Sequence, residues 1–179
     1  MDVISGASLR HIDTMKTRSD KEQQFLSIVE QCRPLVFKVC WLYTSPGTSF
    51  DDLYQEVLIN IWQGMDSFRG DAKLSTWIHR TAINTCISWY RRNSRHNGSV
   101  NIDELPFEPV DNPSGSAAED LRELHRLISK LGPIDKAIIT LWLDEKPYDE
   151  IASIMGMSQT NVAVRLHRIK DRLSKMAEK

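Results

Sequence analysis

The stretch Leu143–Leu173, LDEKPYDEIASIMGMSQTNVAVRLHRIKDRL, decides the fold because it predicts two short helices joined by a tight turn. Gly156 stands where the first helix must end in a residue that tolerates positive φ, and Ser158 offers an N-cap oxygen to the second helix. Apolar residues at helical spacing give the first helix one buried face: Tyr148, Ile151, Ala152 and Met155. The inward stripe of the second helix is Val162, Leu166, Ile169 and Leu173.

The opposite face of the second helix is polar and basic. From Met157 to Lys179 there are six Lys/Arg and two Asp/Glu, a net charge of +4. A basic, outward-facing second helix is what reading a DNA major groove requires. The alternative is a helical hairpin that merely packs on a neighbouring element. The side chains predicted to point outward, with Arg165 flanking them, are Thr160, Asn161, Val164, His167, Arg168 and Asp171.

Composition is that of a chain with packed cores. Its 179 residues are enough for one medium domain or two small ones, and 41% hydrophobic residues can form packed cores. No apolar run approaches the roughly 18 residues of a membrane span, and no secretory signal is evident, so we expect no membrane insertion. Three cysteines form neither a disulfide framework nor a metal spacing, which favours the reducing cytoplasm.

The net charge of −1 hides blocks of opposite sign. Phe50–Asp66 carries four acids and no base, whereas Arg69–Arg95 carries six bases and one acid. Asn97–Asp120 is again acidic, with six acids and no base, and the basic C-terminal segment follows. Such alternation predicts separate surfaces for different partners.

Helical periodicity and loop composition predict an all-α fold of two small helical domains, with the helix-turn-helix at the C-terminus. Residues 1–20 lack clear periodicity and are predicted to be a tail or a weak first helix. A first domain is expected over residues 21–96 and a second over residues 119–179. Residues 97–118 are rich in Pro, Gly and acids, which predicts a flexible acidic linker.

The helix predicted from Ser49 onward has an unusual outer face. Leu53, Val57 and Ile61 repeat on its inner side, whereas Ile59 and Trp62 are set among acids and amides. Large apolar groups inside a charged rim are typical of a protein-docking surface. The alternative is an ordinary solvated face with one stray isoleucine.

The helix predicted over Leu74–Arg92 has apolar residues on two sides and must lie between neighbours. Cations and aromatic residues alternate along its ends and gaps. This mixture suits single-stranded DNA, because bases stack on aromatic rings and phosphates pair with cations. Trp77 could equally be a residue of the core.

Motifs for catalysis or cofactor binding are missing from the sequence. None of the glycine-containing loops continues into Gly-Lys-Ser/Thr, and the five histidines form no helical ligand pair. Asp51 and Asp52 are adjacent on a helix, so their carboxylates would not converge on a metal. We therefore expect no enzyme activity, no cofactor and no metal.

The order of these features resembles the bacterial RNA polymerase sigma factors, specifically the short extracytoplasmic-function (ECF) group. The resemblance covers nearly all of residues 21–173. Four segments in this order carry it: DDLYQEVLINIW, DSFRGDAKLSTWIHRTAINTCISWYRR, LISKLGPIDKAIITLWL and YDEIASIMGMSQTNVAVRLHRIKDRL. It implies a sigma region 2-like domain, a linker, and a region 4-like domain without the middle domain of housekeeping members.

The resemblance implies a sigma factor that binds core RNA polymerase, melts the −10 promoter element and reads the −35 element as duplex. It also implies an anti-sigma factor as a partner. Polymerase docking is expected at Asp51, Asp52, Gln55, Glu56, Asn60 and Trp62. Ile59 is expected there too, because it is set among acids and amides on the same helix. The −10 segment is expected at Phe68, Arg69, Lys73, Ser75, Thr76, Trp77, His79, Arg80 and Asn84. The −35 reading helix is expected to use Thr160, Asn161, Val164, Arg165, His167 and Arg168.

Two features depart from the family pattern. Ser88 stands where an acid is expected, and few arginines precede Arg165, which leaves the base preference open. A helix-turn-helix regulator that binds operators without polymerase is the main alternative. It would explain residues 143–173 but not the acidic helix or the basic aromatic helix. A purely helical adaptor would explain neither basic segment.

Overall fold

A computed structural model describes residues 5–44, 49–93 and 116–178. Every regular element among them is helical, which confirms the all-α prediction. The first domain contains α1 (Ser5–Tyr43), α2 (Phe50–Gly64), a 3₁₀ turn (Met65–Ser67) and α3 (Leu74–Asn93). The second contains α4 (Ser116–Ser129), α5 (Pro133–Leu143), α6 (Tyr148–Met155) and α7 (Gln159–Ala177).

In the first domain, α1, α2 and α3 pack against one another. The inward stripe of α2, Leu53, Val57 and Ile61, is buried as predicted. α3 buries residues on two sides, including Ile78 and Ile83, because it contacts both other helices of the domain. Ser49 caps α2, and its Oγ accepts the Asp52 backbone N–H at 3.2 Å, which satisfies one of the free donors of the first turn.

Two boundaries differ from the sequence prediction. α1 begins at Ser5, inside the segment predicted to be a tail or a weak first helix, and continues through Pro34. A helix that is already nucleated extends at little cost, so the first turns need no apolar stripe of their own. α4 begins at Ser116, inside the predicted linker, whose residues 97–115 lie outside the described part of the chain.

The helix-turn-helix forms as the sequence predicts. Gly156 ends α6 with φ 65° and ψ 38°, and Met157 N–H donates to the Ala152 carbonyl at 3.1 Å. Ser158 caps α7 by accepting the Asn161 backbone N–H. One part of the predicted α6 face was wrong. Ile154 is buried, whereas Tyr148, the first residue of the helix, is 39% exposed, although Ile151 in the same turn is fully buried.

The two domains also contact each other. α1 lies against α4 and α5, and α3 lies against α5 and α6. Buried residues from both domains therefore form one continuous apolar cluster. None of the helices in the described ranges combines the length and the apolar character that a membrane span needs.

Candidate nucleic-acid and partner interfaces

The outer face of α7 is the candidate surface for duplex DNA. Val162, Leu166 and Ile169 are buried against α5 and α6, and this fixes the rotation of the helix. The opposite side is exposed, and Val164 is 45% accessible. The structure thus places five predicted residues together on one exposed or partly exposed face: Thr160, Asn161, Val164, His167 and Arg168.

Arg165, the sixth predicted −35 residue, has a different environment. Its guanidinium donates to the Asp135 carboxylate of α5 at 2.9 Å, and both side chains are partly buried. Nearby, the Lys170 ammonium lies 3.6 Å from the centre of the Trp142 ring. These two contacts attach α7 to α5, so Arg165 holds the helix in place within this structure.

The outer face of α2 is the candidate protein-docking surface. Asp51, Asp52 and Gln55 are exposed, and Ile59 is 53% exposed beside them. An isoleucine so accessible, one turn from the Gln55 amide and two turns from the two acids, has the apolar-centre, polar-rim arrangement of a small interface. The structure therefore brings these four predicted residues onto one accessible face.

The other three predicted docking residues already contact their own domain. Trp62 packs edge-on against Phe25 of α1, with ring centres 5.1 Å apart, and Lys21 lies over its ring. Asn60 donates to the Thr85 hydroxyl at 3.0 Å, and Glu56 pairs with Arg92. These side chains orient α2 on α1 and α3.

The basic side of α3 and the loop before it form the candidate single-strand surface. Arg69, Lys73, Arg80 and Asn84 are exposed, so their polar ends can reach phosphates or bases. Phe68 and Ser75 are partly buried at the margin of this surface.

Trp77 is half-buried in this surface, so it packs in the core and also presents part of its ring at the single-strand surface. Its ring lies 5.3 Å from that of Phe68, and it is so close to Gly64 that an added Cβ there would lie 2.8 Å from Cζ2. Gly64 thus makes room for the tryptophan at the end of α2. One aromatic pair, Phe68 and Trp77, stands beside the exposed cations.

Thr76 and His79 differ from the sequence prediction because both are buried. His79 is only 5% exposed, and its Nδ1 lies 3.0 Å from the Ser75 carbonyl oxygen. Burial lowers the pKa of its imidazole, and the charges that act on it belong to the second domain: Lys146, Asp144 and Glu150. The second domain covers this part of α3.

The residues that join the two domains were not predicted from the sequence. Tyr43 of α1 is buried, and its hydroxyl donates to the Pro133 carbonyl at the start of α5. Burial raises the pKa of that phenol well above its usual range. The rings of Trp41 and His125 are in contact, with centres 3.7 Å apart and planes tilted by 32°. The available signal was Lys136, a charged residue directly before the largely apolar residues 137–143.

Metal binding finds no support in the described ranges, where no cluster of three or more His, Cys, Asp or Glu side chains could hold an ion. Cys40 and Cys86 are buried between α1 and α3. A hydrogen bond with Cys40 and burial raise the pKa of the Cys86 thiol, so the thiolate form is disfavoured. These thiols belong to the core of the domain.

Comparison with known families decides the identity of the chain. Residues 28–96 match the model of Sigma-70 region 2, and residues 121–173 match the model of Sigma-70 region 4. The chain is 31% identical over 138 residues to the ECF RNA polymerase sigma-E factor of Escherichia coli K12, covering 70% of this chain and 72% of the relative. The chain belongs to the ECF group of sigma factors.

Other relatives agree with this assignment. This sigma factor is 30% identical over 129 residues to the RNA polymerase sigma factor YlaC of Bacillus subtilis, across 69% of the chain and 75% of YlaC. Its fold resembles the sigma factor RpoE solved in complex with the anti-sigma factor NepR from Bartonella quintana. That likeness has a TM-score of 0.68 at 22% identity and covers 89% of this chain and 97% of RpoE. CnrH, solved with the cytosolic domain of CnrY, gives a TM-score of 0.63 at 20% identity, covering 88% of this chain and 89% of CnrH.

Proposed function

We propose that this sigma factor directs promoter-specific transcription initiation by binding core RNA polymerase through α2, the −10 element through α3, and the −35 element through α7. One observation carries the proposal: the chain has three chemically distinct surfaces. Those of α2 and α3 lie in region 2, and that of α7 lies in region 4. An operator-binding regulator would need the α7 face alone, so it leaves the other two surfaces without a role.

Polymerase docking is assigned to the exposed side of α2. Ile59 supplies an apolar centre, and Asp51, Asp52 and Gln55 supply an acidic and polar rim. Interfaces of this kind draw most of their affinity from a few central apolar or aromatic anchors. Asn60, Glu56 and Trp62 support the surface from behind through their contacts with α1 and α3.

Melting of the −10 element is assigned to the loop and helix between Phe68 and Asn84. The exposed cations Arg69, Lys73 and Arg80 provide phosphate contacts, and the Phe68–Trp77 pair provides an aromatic surface for an unstacked base. Extruding a base costs a few kcal/mol, which stacking and hydrogen bonds in such a pocket offset. Asn84 is exposed on the same helix and offers an amide for base contacts.

Reading of the −35 element is assigned to the exposed face of α7. Its first turn offers Thr160 and Asn161, and Val164 presents a methyl surface that suits a thymine methyl group. Arg168 can make a bidentate contact with a guanine edge. Arg165 acts indirectly, by holding α7 on α5 through Asp135.

The proposed activity is binding and positioning, so bond formation belongs to core polymerase and the sigma factor itself is not an enzyme. The template lies in the cytoplasm, where we place the protein. An anti-sigma factor is a proposed partner, because both structural relatives described above were solved with a second protein, one of them named as an anti-sigma factor.

Two measurements test this proposal. The purified chain should co-elute with core RNA polymerase on size exclusion, and the mixture should transcribe from members of a promoter library randomised at both elements. Enriched promoters should share two short motifs at fixed spacing. Co-elution without any promoter enrichment, or enrichment of a palindrome by the chain alone, would contradict it.

A further inference from the structure

We propose that the two domains of this sigma factor form a closed state held by their own contacts, in which α5 and α6 cover part of the proposed −10 surface on α3. The contact surfaces are defined here as the clasp: Tyr43, Trp41, Lys38 and His79 on the first domain, and Pro133, His125, Lys136 and Asp144 on the second. Opening of the clasp would then precede engagement of the promoter. This consequence rests on the function proposed above, whereas the closed state itself does not.

The centre of the clasp is buried around the N-terminal half of α5. The Tyr43 hydroxyl donates to the Pro133 carbonyl, and Ala137 on the next turn is fully buried. The ammonium of Lys136 lies 6.0 Å from the ring centre of Tyr43 and 5.7 Å from that of Tyr90, both in the first domain. Burial lowers the pKa of Lys136 to about 8. Lys136 is only 6% exposed, and the two rings beside its ammonium belong to the first domain, so this contact exists only when the domains meet.

α5 and α6 together cover residues of α3 that belong to the proposed −10 surface. His79 lines a cavity of only about 10 Å³ together with residues of both domains, among them Ala137, Thr140 and Leu141. The next residue, Arg80, reaches the helix-turn-helix, where its guanidinium would lie 3.3 Å from a Cβ added at Gly156. The turn that positions the −35 helix thus contacts an arginine proposed to bind the −10 strand.

The edges of the clasp are weaker than its centre. Lys38 pairs with Asp144 at a half-exposed position, where an ion pair adds little stability. On the α4 side, Trp41 and His125 line an apolar groove of about 230 Å³ that the two domains leave unfilled. The clasp is thus tightly packed around α5 and loosely packed at its edges. An interface of this kind can open without unfolding either domain.

A histidine-labelling experiment tests the closed state without polymerase or DNA. Diethyl pyrocarbonate modifies accessible neutral imidazoles, and mass spectrometry of the full chain at pH 7 reports each site. His79 should be protected, whereas the exposed His167 should react and serve as the internal reference. Ala137→Glu places a charge in the centre of the clasp and should raise the labelling of His79 several-fold relative to His167.

The matched control is Gln23→Glu, which adds the same charge at an exposed position of α1 and should leave His79 protected. Small-angle X-ray scattering should show a larger radius of gyration for Ala137→Glu alone, with the same helical circular dichroism. Unchanged protection of His79 in a folded Ala137→Glu chain would overturn the closed state.

A charge exchange provides a second test if Ala137→Glu does not fold. Lys38→Glu sets two acids against each other at the edge of the clasp and should raise His79 labelling, and adding Asp144→Lys should restore protection. Labelling that rises in Lys38→Glu and stays high in the double variant would contradict the pairing.

Transcription with core polymerase separates the closed state from its proposed effect on promoter engagement. Faster open-complex formation by the opened variants supports occlusion, whereas changed labelling with unchanged transcription leaves the closed state in place and refutes its regulatory role.

Discussion

Arg165 and Arg168 lie on neighbouring parts of α7, yet their surroundings give them different roles. Arg165 donates to Asp135 at 2.9 Å, whereas Arg168 is exposed on the face proposed to read DNA. A guanidinium already engaged by a carboxylate must lose that contact before it can bind a base. Reading is therefore assigned to Arg168, and Arg165 is a positioning residue.

Replacing each arginine by alanine should separate these roles. Arg168→Ala should weaken binding of the −35 element by about 1–3 kcal/mol and relax the preference at one base pair, because a bidentate contact is lost. If Arg168 binds only phosphate, affinity should fall for all sequences and the salt dependence should decrease by about one ion. Gel shifts of the polymerase complex on single-base promoter variants measure this. Unaltered affinity and preference would remove Arg168 from the interface.

The positioning role of Arg165 is tested through its partner. Arg165→Ala, Asp135→Ala and the double variant should lose the same small stability, roughly 0.5 kcal/mol, because the pair is partly exposed and only one interaction is lost. Urea unfolding of the three chains measures the free energy of unfolding. Additive losses would show that the two side chains act independently.

Gly64 and Trp77 make a second prediction at the scale of residues. An added Cβ at Gly64 would lie 2.8 Å from the Trp77 ring, so Gly64→Ala should displace the ring from Phe68. The cost in stability should be about 1–3 kcal/mol, as for other overpacked sites. Thermal unfolding measures the loss, and Gly132→Ala, which meets no neighbour, is the control. Equal effects of the two substitutions would contradict the packing described for Trp77.

At the scale of elements, local signals in the sequence predicted most helices because each helix carries its own periodicity and caps. Ser49, Gly156 and Ser158 fixed three helix ends, and the structure confirms all three. The first turn of α4 was missed, and residues 1–20 were predicted only as a tail or a weak first helix, because helix extension beyond an amphipathic core needs no apolar stripe. The burial of Thr76 and His79 was missed for a different reason. It depends on contacts between residues distant in sequence, which no local pattern contains.

The α2 surface gives the prediction at this scale. Ile59→Ala should weaken core polymerase binding by about 1 kcal/mol or more, roughly fivefold in Kd, because an exposed apolar anchor is truncated. Leu26→Ala is the matched control, since Leu26 is 65% exposed on α1 outside the proposed surface. Fluorescence anisotropy with labelled core polymerase measures both. Equal affinity for the Ile59→Ala and wild-type chains, with intact helical circular dichroism, would exclude Ile59 from docking.

At the scale of the whole molecule, the closed state buries the His125 imidazole, and burial favours its neutral form. Burial against Trp41, followed by the charge of Lys136, lowers the pKa of His125 to about 4. Lys38 also faces the same groove, so nearby charges oppose protonation of this histidine. In an open chain an exposed histidine has a pKa of about 6.5. Closing therefore releases a proton between pH 6.5 and 4.

Acidification should consequently open the molecule. Below pH 6.5 the closed state should weaken by up to about tenfold per pH unit, and above this value His125 should have no effect. Small-angle scattering between pH 7.5 and 5 should show an increasing radius of gyration. His125→Phe keeps the ring contact with Trp41 but cannot titrate, so its radius should change much less. An identical pH response of both chains would assign the effect to other groups, of which His79 beside Asp144, Lys146 and Glu150 is the first to test.

The measurement that tests the central claim most directly is a gel shift of promoter DNA with and without core polymerase, on the native promoter and on versions with altered spacing. Two small DNA-binding surfaces have little affinity when used alone, and core polymerase raises the effective concentration of each by holding both at one separation. The sigma factor alone should therefore bind weakly and with strong salt dependence. The ternary complex should bind tightly and lose affinity when a few base pairs are inserted between the two elements. Tight binding by the chain alone that depends on a palindrome and ignores polymerase would contradict the account.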